Sequence, residues 1–343
     1  MMTGFAFRSL GTLAATALIA AAWLLRGSIV PNPPVEPEIL RTVADVPLPG
    51  PAVRFDYQSQ DPSNGRLYIA HMNADQLVVF DTAKRQVVAN LDGFHRVHGV
   101  IGVPETDRIY ASATGDHQLV VVDRQTLKIV ARVGNMKYPD GLAYASAAHR
   151  IFVSDEHGDV DAVFDSSTNQ FIANIPLGGG AGNTVYDHRS NLILVAVHGK
   201  NELVSIDPAT AGITARTGMT GLEDPHGVTL DEDNRLAFVA GEGNARLAVV
   251  DLNQMKVTAT FPVGKDPDVL AFDAQAKRLY VSAESGQVTV FREENGSLVR
   301  EGGIHLPHAH TVSVDPKTHL IYFPLENYNG KPVLRIMEFV GSR

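Results

Sequence analysis

Seven polar or charged residues recur along the chain at intervals of 42 or 43 residues, each at the start of an apolar run. They are Asp56, His98, Asp140, Asn183, His226, Asp268 and His310. Three are imidazoles and three are carboxylates, which are common protein ligands for divalent metal ions. If the repeat brings equivalent positions together, these side chains form one ring that could bind a metal and support metal-assisted chemistry.

The period itself predicts the elements that position this ring. Short strands repeating every 42 or 43 residues are typical of a β-propeller, in which equivalent positions of all blades surround one channel. The unit around His226 contains four apolar runs separated by turn residues: PHGVTL, RLAFVAG, RLAVVDLNQ and KVTATFPVG. Four such runs predict four antiparallel strands. We therefore predict an all-β fold, a seven-bladed β-propeller with four-stranded blades.

The two ends of the repeat predict how the ring of blades closes. The last repeat ends one strand short, whereas the early segment EILRTVADVPLPG is similar to the fourth-strand segment KVTATFPVGKDPDV. We expect the N-terminal strand to complete the C-terminal blade, which would remove free sheet edges. The propeller is accordingly assigned to residues 39–343.

The strand sequences also resemble a known family. Second-strand runs such as RLYIAH, RIYASA and RLYVSA, and third-to-fourth-strand turns such as LVVVDRQTLKIVARV, are similar to those of YVTN-repeat proteins. These form the YncE-like group of exported seven-bladed propellers, and the resemblance covers residues 39–340. It implies the propeller fold, while function has to be argued from the site because propellers carry many unrelated activities.

The N-terminal segment predicts export. Arg8 precedes an apolar run from Leu10 to Leu25, as in a signal peptide. At roughly 17 residues, the run is at the lower limit for a membrane-spanning helix. A cleaved signal peptide and a retained inner-membrane anchor therefore both stay open for residues 1–30. Residues 31–38 form a proline-rich spacer, and we predict a periplasmic or extracellular protein.

Composition excludes several kinds of partner and chemistry. Lys and Arg total 29 against 38 Asp and Glu, a net charge of −9, so duplex nucleic acid is not an expected partner. The chain has no cysteine, which excludes thiolate metal sites and cysteine nucleophiles. We expect a monomer with a small-molecule substrate or ligand at the channel mouth.

Further polar residues follow the second strands and should border the same mouth. They are Glu156, His198, Glu242 and Glu284, the candidates for acid-base catalysis. Around the ring, His98, His226 and His310 are separated by three, two and two blades. Such evenly spread imidazoles could converge on zinc, iron, manganese or copper.

The carboxylates of the ring leave a second ion type open. Asp56, Asp140 and Asp268 could orient the metal-binding imidazoles or activate a bound water. Together with Asn183, and without the histidines, the same three aspartates would instead suit calcium.

Two functions of different classes remain open at this stage. The first is a metal-dependent lactonase or lyase, similar to propeller enzymes of the gluconolactonase and virginiamycin B lyase kind. There His98, His226 and His310 would hold the ion, and the base would be one of the three glutamates named above. The second is a non-catalytic exported scaffold that binds a ligand or a protein on the channel face.

Overall fold

The computed structural model describes residues 39–341. The predicted export segment and the proline-rich spacer lie outside the described residues. The described chain forms seven sheets, each of four antiparallel strands, which confirms the predicted seven-bladed β-propeller. Within residues 39–341, no helix has the length and apolar character needed to cross a bilayer.

Each of the first six blades uses four consecutive strands, ordered from the channel outwards. Blades 1 to 3 comprise β2 (Gln58–Asp61), β3 (Arg66–His71), β4 (Gln76–Asp81), β5 (Gln86–Asp92), β6 (Val97–Val103), β7 (Arg108–Ala113), β8 (Gln118–Asp123), β9 (Ile129–Val133), β10 (Pro139–Ala145), β11 (Arg150–Asp155), β12 (Val160–Asp165) and β13 (Phe171–Pro176). Blades 4 to 6 comprise β14 (Ala181–Asp187), β15 (Leu192–Val197), β16 (Glu202–Asp207), β17 (Gly212–Gly218), β18 (Pro225–Asp231), β19 (Leu236–Gly241), β20 (Arg246–Asp251), β21 (Lys256–Pro262), β22 (Pro267–Asp273), β23 (Arg278–Ala283), β24 (Gln287–Glu294) and β25 (Ser297–His305).

Blade 7 joins the two ends of the described chain. It contains β26 (Ser313–Val314), β27 (Ile321–Tyr328), β28 (Lys331–Phe339) and, outermost, β1 (Leu40–Pro47). The pairing of β1 with β28 is antiparallel, and Arg335 donates two hydrogen bonds to Asp45 at 2.8 and 2.7 Å. This arrangement agrees with the predicted closure by the N-terminal strand.

The apolar core lies between the faces of neighbouring blades. Tyr68 and Ala70 of blade 1, for example, pack with Val97 and Ile109 of blade 2. Second strands are buried along nearly their whole length because both of their faces meet another blade. The outermost strands contain partly buried and exposed residues instead. Propeller stability therefore comes from apolar burial shared by adjacent blades.

Aspartates at the ends of third strands build the predicted turns. Asp123 accepts hydrogen bonds from the backbone N–H groups of Gln125 and Thr126, at 3.2 and 2.8 Å. Leu127 then adopts a positive φ of 56°, which reverses the chain into β9. Side-chain oxygens that bond the local backbone favour such turns. Five single-turn 3-10 helices also lie in residues 39–341: Met72–Ala74, Pro104–Thr106, Thr114–Asp116, Ser146–Ala148 and Glu156–Gly158.

An irregularity near the start of the innermost strands directs the ring residues. In β6, Val97 and Val100 pair with Ala113 and Ala111, so two residues, His98 and Gly99, face one on β7. The same break occurs in β10, β14, β18 and β22. A bulge of this kind bends the strand and redirects a side chain. In blades 2, 3, 5 and 6 the first residue of the bulge is polar and lines the channel mouth: His98, Asp140, His226 and Asp268. In blade 4 the equivalent residue is Gly182, one position before Asn183.

Candidate metal centre at the channel mouth

Five of the seven ring residues line one cavity of about 250 Å³ at the mouth of the channel: Asp56, His98, Asp140, His226 and Asp268. Asn183 instead lines the adjoining part of the channel, a cavity of about 340 Å³. His310 is buried but is not among the residues that line either cavity. All seven side chains are nonetheless buried, with exposed fractions of 2 to 8 %.

All four candidate residues from the second strands line the same polar cavity. Glu156, Glu242 and Glu284 belong to blades 3, 5 and 6, and His198 of blade 4 joins them. Each directly follows the end of a second strand and borders the same mouth as the ring residues.

One group of possible metal ligands consists of His198, His226 and Glu242. One ligand atom from each lies within 4.8 Å of the other two. Nε2 of His198 is 2.8 Å from Nδ1 of His226, and that Nδ1 is 3.8 Å from Oε1 of Glu242. Two imidazoles and one carboxylate at this separation form a ligand set of the type found in catalytic zinc sites.

The other nitrogen of His226 faces supporting groups. Nε2 lies 3.1 Å from the hydroxyl of Tyr57, 3.4 Å from Oδ1 of Asp268 and 3.9 Å from Oδ2 of Asp140. Metal-binding imidazoles commonly donate their second N–H to a carboxylate or another oxygen, which holds the ring in position. His226 thus has one nitrogen facing the other two possible ligands and one nitrogen facing the groups that orient its ring.

His98 belongs to neither group of possible ligands, and its two nitrogens contact other residues. Nδ1 lies 2.7 Å from the carbonyl of Arg96 and 2.7 Å from the hydroxyl of Thr114. Nε2 lies 3.1 Å from the hydroxyl of Tyr138. These contacts hold the imidazole against the loop before β6 and against blade 3.

A second set of possible ligands lies across blades 6 and 7. Ligand atoms of Asp268, Glu284 and His310 are also within 4.8 Å of one another. The expected convergence of three imidazoles is therefore corrected: His226 and His310 belong to different sets, and His98 belongs to neither. The even spacing set the blade of each histidine, but not the direction of its side chain.

Arg54 was not singled out from the sequence, yet it is central to the mouth. Its guanidinium lies 2.6 Å from Glu284, 3.8 Å from Asp56 and 3.9 Å from Asp268. A sequence signal did exist, because Arg54, Arg96 and Tyr138 are also spaced by 42 residues, two positions before successive ring members. All three line the cavity, together with Tyr57.

Burial keeps the imidazoles of the mouth neutral. Loss of water lowers the pKa of His98 to about 4 and that of His226 to about 3. It also lowers the pKa of His198 and of His310. A neutral imidazole retains the nitrogen lone pair that a metal ion requires.

The pKa values of the carboxyl groups at the mouth shift in the opposite direction. Burial, followed by the charge of Asp56, raises the pKa of Asp140 and Asp268 well above the usual range. Burial raises the pKa of Asp56 to about 7, and burial with the charge of Glu156 raises the pKa of Glu242 to about 7. Several carboxyl groups thus share a poorly hydrated site with too little positive charge, which a divalent cation would supply.

Comparison with known proteins defines the class of protein through its fold. A solved structure named "Structure of U3-55K" matches with a TM-score of 0.73 and 9% identity, covering 89% of this chain and 99% of that chain. At 9% identity, this likeness shows the propeller fold alone, because one fold carries many functions. In total, 1766 chains of known structure match. No family model matches the chain, and no curated protein matches it.

Proposed function

We propose that the channel mouth binds a divalent transition-metal ion through His198, His226 and Glu242, and that the protein is a metal-dependent enzyme acting on a small carbonyl compound. The observation that carries the proposal is the approach of three ligand atoms from these residues to within 4.8 Å of one another. The reaction class is that of lactonases and lyases, in which a carbonyl is polarised and a proton is moved.

The surroundings of His226 support this proposal. Its Nδ1 faces His198 and Glu242, while Nε2 faces Tyr57 and Asp268. This division of the two nitrogens is the one expected when an imidazole binds an ion on one side and is oriented by hydrogen bonds on the other.

Unpaired polar atoms at the mouth provide a second line of support. Nε of Arg54, Oδ1 of Asp140, Oδ1 of Asp268 and Nε2 of His310 are buried without a hydrogen-bond partner among the described residues. Buried polar atoms without partners are costly, so such a concentration is typical of a site that takes up a polar ligand.

The ligand set favours some ions over others. Two neutral imidazoles and one carboxylate suit borderline ions such as zinc, iron or manganese, and copper also accepts imidazole. Calcium prefers six to eight oxygen ligands. We therefore propose a transition metal rather than calcium for this set.

Residues of the chain can supply the proton transfer. A bound ion would supply Lewis-acid polarisation of the substrate carbonyl. Glu156 lines the cavity, and its ion-pair partner among the described residues is His157, at 3.9 Å. We therefore take Glu156 as the candidate base. Glu284 is held by Arg54 at 2.6 Å, and Glu242 is assigned as a ligand, so these two are less suited to accept a proton.

Metal analysis of the purified protein tests the proposal. Elemental analysis after purification without added metal should find bound transition metal, and His226→Ala or Glu242→Gln should lose it. His188→Ala is a matched control, because that histidine is 64 % exposed and pairs with Glu232 away from the mouth. A screen of lactones and uronides would then identify the reaction. A protein that binds no transition metal under any condition would support the non-catalytic scaffold instead.

We also propose that the chain is a YVTN-repeat protein of the YncE-like group and is exported. Support comes from the repeated second-strand and turn sequences and from the apolar segment after Arg8. Cell fractionation followed by mass spectrometry of the intact protein would test both export and cleavage. A full-length protein recovered from the cytoplasm would contradict this assignment.

A further inference from the structure

The repeat places a second pair of possible ligands in the blade after His226 and Glu242. Asp268 and Glu284 follow these two residues by 42 positions each and occupy equivalent places on β22 and after β23. The first pair is joined by His198 from the preceding blade, and the second by His310 from the following blade. Two three-residue sets therefore lie side by side, with two equivalent members each and a third member from a different position.

The second set contains buried atoms that lack partners. His310 is 5 % exposed, and its Nε2 has no hydrogen-bond partner among the described residues. Oδ1 of Asp268 is likewise unpartnered, although Nε2 of His226 lies 3.4 Å away. An imidazole nitrogen and a carboxylate oxygen left unpaired in the interior indicate a missing ligand, because each would otherwise bear the full cost of its lost hydration.

Arg54 satisfies this set only in part. Its guanidinium is 2.6 Å from Glu284 but 3.9 Å from Asp268, and its own Nε is buried without a partner among the described residues. The guanidinium thus supplies positive charge to the carboxylates while leaving the imidazole of His310 unpaired. An ion at this position would have to compete with Arg54 for Glu284.

We propose that Asp268, Glu284 and His310 form a second divalent-cation site, so that the mouth is a two-ion centre whose halves are linked by the contact between Asp268 and His226. The inference rests on the proposed function because the first ion is the reference against which the second is counted. One imidazole and two carboxylates are a harder donor set than two imidazoles and one carboxylate, which suits manganese well. Competition with Arg54 makes the second ion the weaker one.

Manganese binding to the metal-stripped full-length protein tests this inference. Equilibrium dialysis with elemental analysis should show two ions per chain, bound with different affinities. His310→Ala and Glu284→Gln should each reduce the count to one, whereas His198→Ala should remove the other ion. Glu284 is 37 % exposed, so its variant avoids the folding risk of replacing a buried histidine. Arg54→Gln should strengthen the weaker site by roughly tenfold or more, because it removes the competing cation.

The outcomes separate this inference from the proposed function. A single ion that is lost in His198→Ala and retained in His310→Ala and Glu284→Gln would overturn the second site and leave the first intact. No bound ion at all would overturn both. His308→Ala is the matched control for His310→Ala, because its side chain is 49 % exposed and pairs with Glu326. Loss of an ion in that variant would also contradict the assignment to His310.

Discussion

Nε2 of His198 and Nδ1 of His226 lie 2.8 Å apart, although the two residues belong to different blades. The rings are inclined by 64°, so the nitrogens approach each other without stacking of the rings. At this distance one nitrogen donates a single proton to the other. A metal ion that bound both nitrogens would replace this hydrogen bond, with the proton moving to the other nitrogen of its ring. The pair is therefore the element on which the proposed centre depends.

The first prediction concerns this pair. His198→Ala should weaken transition-metal binding by more than the roughly 10- to 100-fold that loss of a supporting group outside the ligand set typically causes. The reason is that the substitution removes a ligand rather than a group that orients one. Isothermal titration with zinc measures the change. Equal affinity in wild type and variant, with His188→Ala as the reference, would rule out His198 as a ligand.

The second prediction concerns the group that orients His226. Tyr57→Phe removes the hydroxyl 3.1 Å from Nε2 and should weaken zinc binding by about 10- to 100-fold while leaving one ion bound. Tyr144→Phe is the matched control, since its hydroxyl lies 3.4 Å from His149 at an exposed position. An unchanged zinc affinity in Tyr57→Phe would show that the hydroxyl does not hold the imidazole in place.

The third prediction concerns the close approach of adjacent inner strands. A Cβ added at Gly227 would overlap the backbone carbonyl oxygen of Asp268, so Gly227→Ala must displace one of the two strands. We expect a loss of roughly 1–3 kcal/mol in the free energy of unfolding, as in other overpacked interiors. Gly218→Ala is the control because an added Cβ there meets nothing within 4 Å. Urea denaturation of both variants measures the difference, and equal midpoints would contradict the expectation.

The architecture could be predicted from the sequence because every blade repeats the same pattern of strands and turns. The period of 42 or 43 residues, the buried second strands and the similarity of β1 to other fourth strands each predict one part of the closed ring. Side-chain direction at the mouth depends on single residues instead. Tyr138 and Thr114 form hydrogen bonds with the nitrogens of His98, and Arg54 forms an ion pair with Glu284. Neither contact could be predicted from the period.

Asp161 is another residue whose environment could not be predicted from the repeat, and the fourth prediction concerns it. It is the second residue of β12, where β4, β8, β16 and β20 carry leucine. Its side chain is fully buried, with Oδ2 bonded to Thr184 at 3.1 Å and Oδ1 unpartnered among the described residues. Burial raises the pKa of Asp161 from 3.8 to about 7.

A raised folded-state pKa means that Asp161 opposes folding once its proton is lost. The penalty is absent below the unfolded pKa of 3.8, grows as the pH rises towards 7 and is complete above it. Asp161→Leu and Asp161→Asn should therefore stabilise the protein more at pH 8 than at pH 5, by no more than roughly 3 kcal/mol. Denaturation midpoints across this range provide the measurement. A difference from wild type that does not change with pH would contradict the burial effect.

The closure of blade 7 also affects the order in which the protein can be completed. Asp45 and Arg335 are 290 residues apart in the chain, yet they meet across the outermost strand pair. β1 can pair only after β28, about 290 residues further along the chain, has been synthesised. Six blades can therefore form from local pairing as the chain emerges, while the final step brings distant ends together and is slowed by the entropy of closing so long a loop.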